Sequence, residues 1–219
     1  MATAQPTAQA QPIPEGVVAS GTFNSVDGST TGTVDVVVTG DLAELVLRDL
    51  VSTHKRLGVS APFGDSAADP CVDDGAFSFG DIVAGTPTDL TPLWFGRGDP
   101  TFISEIALTT VTQADGSSHC IYQVVARARL VWTFGPLRPY LDILVDGGTR
   151  SGAGGEVVID ATGRPVAYTV APNDLLPEVA GRFGITPDDA FYLNPTRAGS
   201  PEAPMLYVNE VLNLSLHAR

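Results

Sequence analysis

Between residues 119 and 134, Cys120, Tyr122, Val124, Ala126, Ala128, Leu130 and Trp132 occupy every second position, with Gln123, Arg127 and Arg129 among the residues between them. A period of two sends these sets to opposite faces of an extended chain, so the stretch can fold only as a half-buried β-strand. Residues 102–113 form a second long apolar run before it. The intervening Asp115-Gly116 is a hairpin signal, because both positions of a tight turn tolerate left-handed backbone. Residues 30–39 end in β-branched side chains ahead of Gly40-Asp41, and residues 42–51 continue as an apolar strand, which predicts another hairpin. Residues 77–83 add a further strand. Strands with turn signals and no convincing helix predict a mainly β N-terminal domain, a β-sandwich or barrel, with the sandwich as the expected architecture.

Composition excludes several partners. The formal net charge is −13, and Lys55 is the sole lysine. Nucleic acid and anionic lipid surfaces are held by clustered Lys and Arg, so neither is an expected ligand. No run approaches the eighteen apolar residues of a membrane span. Arginine preferred over lysine, with abundant Ala, Gly, Val and Asp, fits a high-GC bacterial source.

The two cysteines, Cys71 and Cys120, lack a Cys-x-x-Cys or metal-ligand neighbour. A disulfide is the economical reading. It would close a loop of about 50 residues and contribute roughly 4 kcal/mol by restricting the unfolded chain. Two buried free thiols are the alternative. Residues 1–16 are rich in Pro, Gln and small side chains, with neither a basic start nor an apolar core, so they read as a disordered tether following a removed export signal.

No catalytic residues are expected. The chain lacks Gly-x-Ser-x-Gly, His-Glu-x-x-His and any phosphate-cradling glycine motif. His54, His119 and His217 have no ligand spacing, so neither metal nor cofactor is predicted. Asp65, Asp69, Asp73 and Asp74 read as a solvated acidic loop, with calcium as the alternative, because the Asp-x-Asp-x-Asp-Gly spacing is missing.

The C-terminal fifty residues carry a different pattern. Tyr168-Thr169-Val170 is a short strand, and Asn173-Asp174 is a turn whose Asp can cap a helix. Leu176, Val179, Ala180 and Phe183 then fall on one helical face, with Pro177 in the first turn and Gly184 as the stop. Thr186-Pro187-Asp188-Asp189 starts a second short helix that Ala190, Phe191, Leu193 and Asn194 complete. Residues 206–214 read as a strand pairing with Tyr168-Val170. The result is a small α+β unit, βααβ. Glycines between residues 147 and 155 read as a hinge or exposed loop, which divides the chain into a tether (1–16), a β-sandwich (17–146), a connector (147–164) and the C-terminal domain (165–216).

The order Tyr-Thr-Val, Asp, Val-Ala, Phe-Gly, Leu-Asn-Pro and Leu-Asn-Leu resembles a LysM domain. That resemblance implies binding of N-acetylglucosamine-containing polymers, above all peptidoglycan, in a shallow groove between the loop before the first helix and the loop before the last strand. Carried over by position, the groove residues are Asn173, Asp174, Leu175, Leu176, Asn194, Pro195, Tyr207 and Asn209. At the two places where the family usually has glycine, this chain has asparagine, which tolerates left-handed backbone and preserves the turns. The family's threonine and glutamine are replaced by Leu175 and Glu210, which alters the groove's hydrogen bonding and charge, and the long connection 196–204 reshapes one wall. Gly21-Thr22-Phe23, Thr31-Gly32-Thr33-Val34 and residues 45–50 resemble the opening of DM13-type domains, extracellular β-sandwiches. Together these resemblances imply an exported, non-enzymatic, cell-wall-associated protein, with a protein partner for the sandwich among its expected ligands. The alternatives are an assembly protein of a surface or phage particle, whose LysM-like unit is a packing module, and a wall hydrolase.

Overall fold

In the computed structural model of the chain, the residues described are 10–40, 42–62, 70–72, 76–86, 88–89, 99–112, 122–197 and 204–219. Asp41, the Asp115-Gly116 turn, the acidic residues 65, 69, 73 and 74, Cys120, His119 and most of the connection 196–204 lie outside them. Two compact units result: residues 13–135, and residues 136–219 together with those up to Pro12.

The first unit is a curled antiparallel sheet. Its strands are β1 (Gly16–Asn24), β2 (Thr30–Thr39), β3 (Leu42–Ser52), β4 (Arg56–Ala61), β5 (Cys71–Val72), β6 (Phe77–Val83), β7 (Thr88–Asp89), β8 (Glu105–Thr109), β9 (Tyr122–Arg129) and β10 (Val131–Trp132). They hydrogen-bond in the order β6-β4-β8-β9-β1-β2-β3-β7, with β10 on β1 and β5 on β9. The expected sandwich of two separate sheets is therefore replaced, among the described residues, by one continuous sheet that curls over its own core.

The predicted hairpin forms as β2 and β3, whose register runs from Thr39↔Leu42 to Thr30↔Ser52. The alternation that predicted β9 holds at Ala126, Ala128 and Leu130, which are buried while Arg129 faces outward. Val18, Phe23, Val34, Val36, Leu45, Leu57, Val59, Ile106 and Leu108 pack with them in one core. Burying each such large side chain stabilises by about 1.5–3 kcal/mol.

Strand β8 departs from alternation, since all five of its residues are buried. Glu105 is among them, and its carboxylate accepts from the guanidinium of Arg127 on the adjacent β9. Strands β1 and β4 carried little sequence signal. In β1 the residues Ala19, Ser20 and Gly21 have low strand propensity, yet β1 lies between β9 and β2. Gly21 is needed there because a Cβ would sit 2.8 Å from the Arg129 carbonyl oxygen. Residues 102–113 also form less strand than expected: Pro100–Phe102 is a single 3₁₀ turn capped by Asp99, which accepts from the Thr101 amide at 2.9 Å.

The second unit contains β11 (Glu156–Ile159), β12 (Pro165–Thr169), α1 (Leu176–Arg182), α2 (Pro187–Leu193) and β13 (Val211–Asn213). The three strands pair antiparallel in the order β11-β12-β13. On α1, Leu176, Val179 and Ala180 are buried as their spacing predicts, followed by buried Phe183, and Gly184 follows with φ of 70°. Thr186 and Asp189 form the reciprocal capping box of α2.

Three expectations change here. The last strand covers only Val211–Asn213, because residues 207–210 close a turn in which the Glu210 amide donates to the Tyr207 carbonyl at 2.9 Å. The cap of α1 is Leu175, without a side-chain bond, so Asp174 does not cap that helix. Residues 147–155 are bound into the unit instead of forming a free loop. The Gly147 amide donates to the Arg182 carbonyl at 2.9 Å, and the Gly155 amide donates to the Tyr168 hydroxyl at 2.8 Å. A Cβ on Gly155 would meet the Thr169 carbonyl oxygen at 2.1 Å, so only glycine fits.

Candidate functional site

At one end of the three-stranded sheet the ends of all three strands meet in the register Glu156↔Thr169↔Val211. Three loops therefore emerge side by side: residues 150–155 before β11, residues 170–175 after β12, and residues 207–210 before β13. Val170 joins the second to the third, donating to the Glu210 carbonyl and accepting from the Asn209 amide, both at 2.9 Å. Asn173 and Asn209, which stand where the LysM pattern has glycine, have φ of 69° and 68°. Both are in the left-handed region that asparagine tolerates better than other side chains with a Cβ.

Of the eight candidate groove residues, Asn173, Leu175, Tyr207 and Asn209 are exposed on these two loops, with Leu175 60% and Tyr207 59% accessible. Val208 lies beside them and is also exposed. The other four have structural surroundings. Leu176 is fully buried in the core of α1. Asn194 clamps α2 to β13: its amide nitrogen donates to the Ala190 and Asn213 carbonyls, and its oxygen accepts from the Asn213 amide at 2.7 Å. Pro195 follows in that turn. Residue 213 is four residues beyond Asn209, about 13 Å along an extended chain.

Asp174 is the hub of the loop system. One carboxylate oxygen accepts from the Gly154 amide at 2.7 Å, and the other accepts from the Ala171 amide at 2.8 Å and the Tyr168 hydroxyl at 2.6 Å. Burial alone would raise its pKa, but these donors outweigh it and hold the carboxylate below its ordinary range. Tyr168 moves the other way, to about 12, first through burial and then through its bond to Asp174. One residue thus ties the β11 side, the core strand and the central loop together.

Two arginines complete the frame, and neither is visible as a sequence motif. Arg197 grips Glu210 at 2.5 Å, donates to the Met205 carbonyl and stacks over the Phe191 ring at 5.1 Å. Glu210 also accepts from the Tyr207 amide at 3.0 Å. Its charge is neutralised inside the turn. Arg182 is buried, binds both oxygens of Asp146 at 2.6 and 2.8 Å, and donates to the carbonyls of Ala153 and Gly155.

Elsewhere, Cys71 lies opposite Gln123 in the β5-β9 pair, and Cys120 lies outside the described residues. Among the described residues, no helix is long and apolar enough to cross a membrane, and no group of His, Cys, Asp and Glu is arranged to hold a metal ion. No protein-family model matches the chain, and no curated protein or solved structure is significantly similar to it.

Proposed function

We propose that the C-terminal unit is a LysM-like sugar-binding module that holds the chain on N-acetylglucosamine-containing peptidoglycan, outside the cell, and that the N-terminal β unit is non-enzymatic cargo retained there. The reading is carried by the paired loops in which Asn173 and Asn209 both adopt left-handed backbone and are joined through Val170. These are the two positions at which the resemblance implies glycine, and they lie on loops 36 residues apart in sequence (209 − 173). Leu175, Tyr207 and Val208 present exposed apolar surface beside them. An N-acetylhexosamine has an apolar ring face and an acetyl methyl, which suit such surface, while loop amides and carbonyls serve its hydroxyls. Because Arg197 neutralises Glu210, replacing the family's glutamine leaves no unpaired carboxylate to repel a wall polymer. The net charge of −13 limits indiscriminate adhesion to anionic wall polymers.

Sedimentation with purified peptidoglycan tests the proposal. The full chain is expected in the pellet, and the Leu175→Asp, Tyr207→Ala double variant in the supernatant. Absence of the wild type from the pellet would refute wall binding and favour the packing-module alternative. Loss of turbidity in the wall suspension would refute the non-enzymatic assignment.

A further inference from the structure

We infer that residues 150–155 form a third wall of the site, which meets one further N-acetylglucosamine unit of a chain beyond the sugar or two lying between the central and 207–210 loops; this rests on the function proposed above. The sheet order β11-β12-β13 places the two outer loops on opposite sides of the central one. Neighbouring strands are about 4.8 Å apart, so three loop bases span about 10 Å across the strands. A linear polymer lying across the 207–210 and 170–175 loops in that direction meets the 150–155 loop next.

That loop is built to be a fixed surface. Arg150 and Ala153 close a tight turn, donating to one another's carbonyls at 3.3 and 3.0 Å, with Gly152 at φ of 74°. Arg182 holds the Ala153 and Gly155 carbonyls from beneath, and Asp174 holds the Gly154 amide. The Gly152 carbonyl accepts from the amide of Leu175 at 2.8 Å. That bond sets this wall directly against a residue of the proposed groove. Ser151 projects from the turn as an exposed hydroxyl, and Arg150, paired with Glu178 at 2.9 Å, lies beside it. A hydroxyl and a guanidinium are donors suited to the hydroxyl and amide oxygens of a further sugar.

Chain-length dependence tests this on the full chain. With ¹⁵N-labelled protein, (GlcNAc)₂ is expected to shift the amides of Leu175, Tyr207, Val208 and Asn209, and (GlcNAc)₆ to shift those of Ser151 and Gly152 as well. Ser151→Trp, at an exposed position outside the core, is expected to weaken the hexamer at least fivefold, leave the dimer unchanged and keep the melting temperature. If the hexamer shifts residues 175 and 207–209 while 150–155 stay still and Ser151→Trp binds it normally, the third wall is refuted and the function stands. If neither sugar shifts any of these amides, the function itself falls, and the third wall with it.

Discussion

Replacing Asp174 separates a hub from an ordinary turn residue. In Asp174→Asn the amide oxygen can take the place of only one carboxylate oxygen. The better orientation keeps it on the side that receives two donors, Tyr168 and Ala171, and turns the NH₂ group toward the Gly154 amide, two donors facing each other. A donor stranded without a partner costs about 1–3 kcal/mol, and Gly154 is exposed enough to reach water, which places this loss near the lower end. The two surviving bonds also lose their charge assistance. A total of about 1–2 kcal/mol follows, equivalent to roughly 5–10 °C of melting temperature for a unit of this size. Asp174→Ala removes both acceptor oxygens and so all three bonds, including that of the fully buried Tyr168, and is expected to cost about 3 kcal/mol or more. Calorimetry of the full chain measures both variants, and amide exchange at Gly154 and Ala171 locates the loss. If the two variants melt alike and within 1 °C of the wild type, the carboxylate ties nothing together and the account of the loop system is wrong.

Acid should loosen the same unit. Asp146, Asp174 and Asp189 all sit below their ordinary range, held there by Arg182 and the Gly148 amide, by Tyr168 with the Ala171, Gly154 and Gly155 amides, and by Thr186, Tyr140 and Arg138 respectively, against the opposing effect of burial. Their contribution is therefore present above the unfolded carboxyl value of about 3.9 and lost as pH falls through the lower folded values; a melting temperature that is flat from pH 5 to pH 2 would contradict it. At Asn209, glycine should be tolerated and valine should cost about 1–2 kcal/mol, because only the latter meets a steric penalty in the left-handed region; urea unfolding of the two variants distinguishes the outcomes. For the cysteines, Cys71 lies opposite Gln123 in the β5–β9 pair. A Cys71–Cys120 bridge is the expected state, read as a mass 2 Da below that of the reduced chain; full alkylation without reductant would rule it out.

What could be read from the chain was whatever depends on near neighbours. The helical face of α1 and the capping box of Thr186 and Asp189 involve residues no more than about two turns apart, and the β2–β3 hairpin closes over a short turn. Asn173 and Asn209 belong to this class too, since a left-handed φ is a property of one residue and its side chain. The features missed are those whose partners lie far along the chain. Strand β1 has small residues because Arg129, 108 positions later (129 − 21), crowds Gly21, so tertiary fit suppresses the propensity that would have marked it. Glycine at 155 looked like flexibility for the same reason. Its lack of a side chain admits Tyr168 and Thr169, and the local signal of a hinge is the signature of close packing. The same distinction divides the site: the exposed tips, Leu175 and Tyr207, are recognisable by pattern, while the groups that fix them, Asp174 to Gly154 and Arg197 to Glu210, act across 20 and 13 residues. A binding surface copied from pattern alone would therefore carry the tips without the frame, and the Asp174 variants measure how much of the unit's stability that frame supplies.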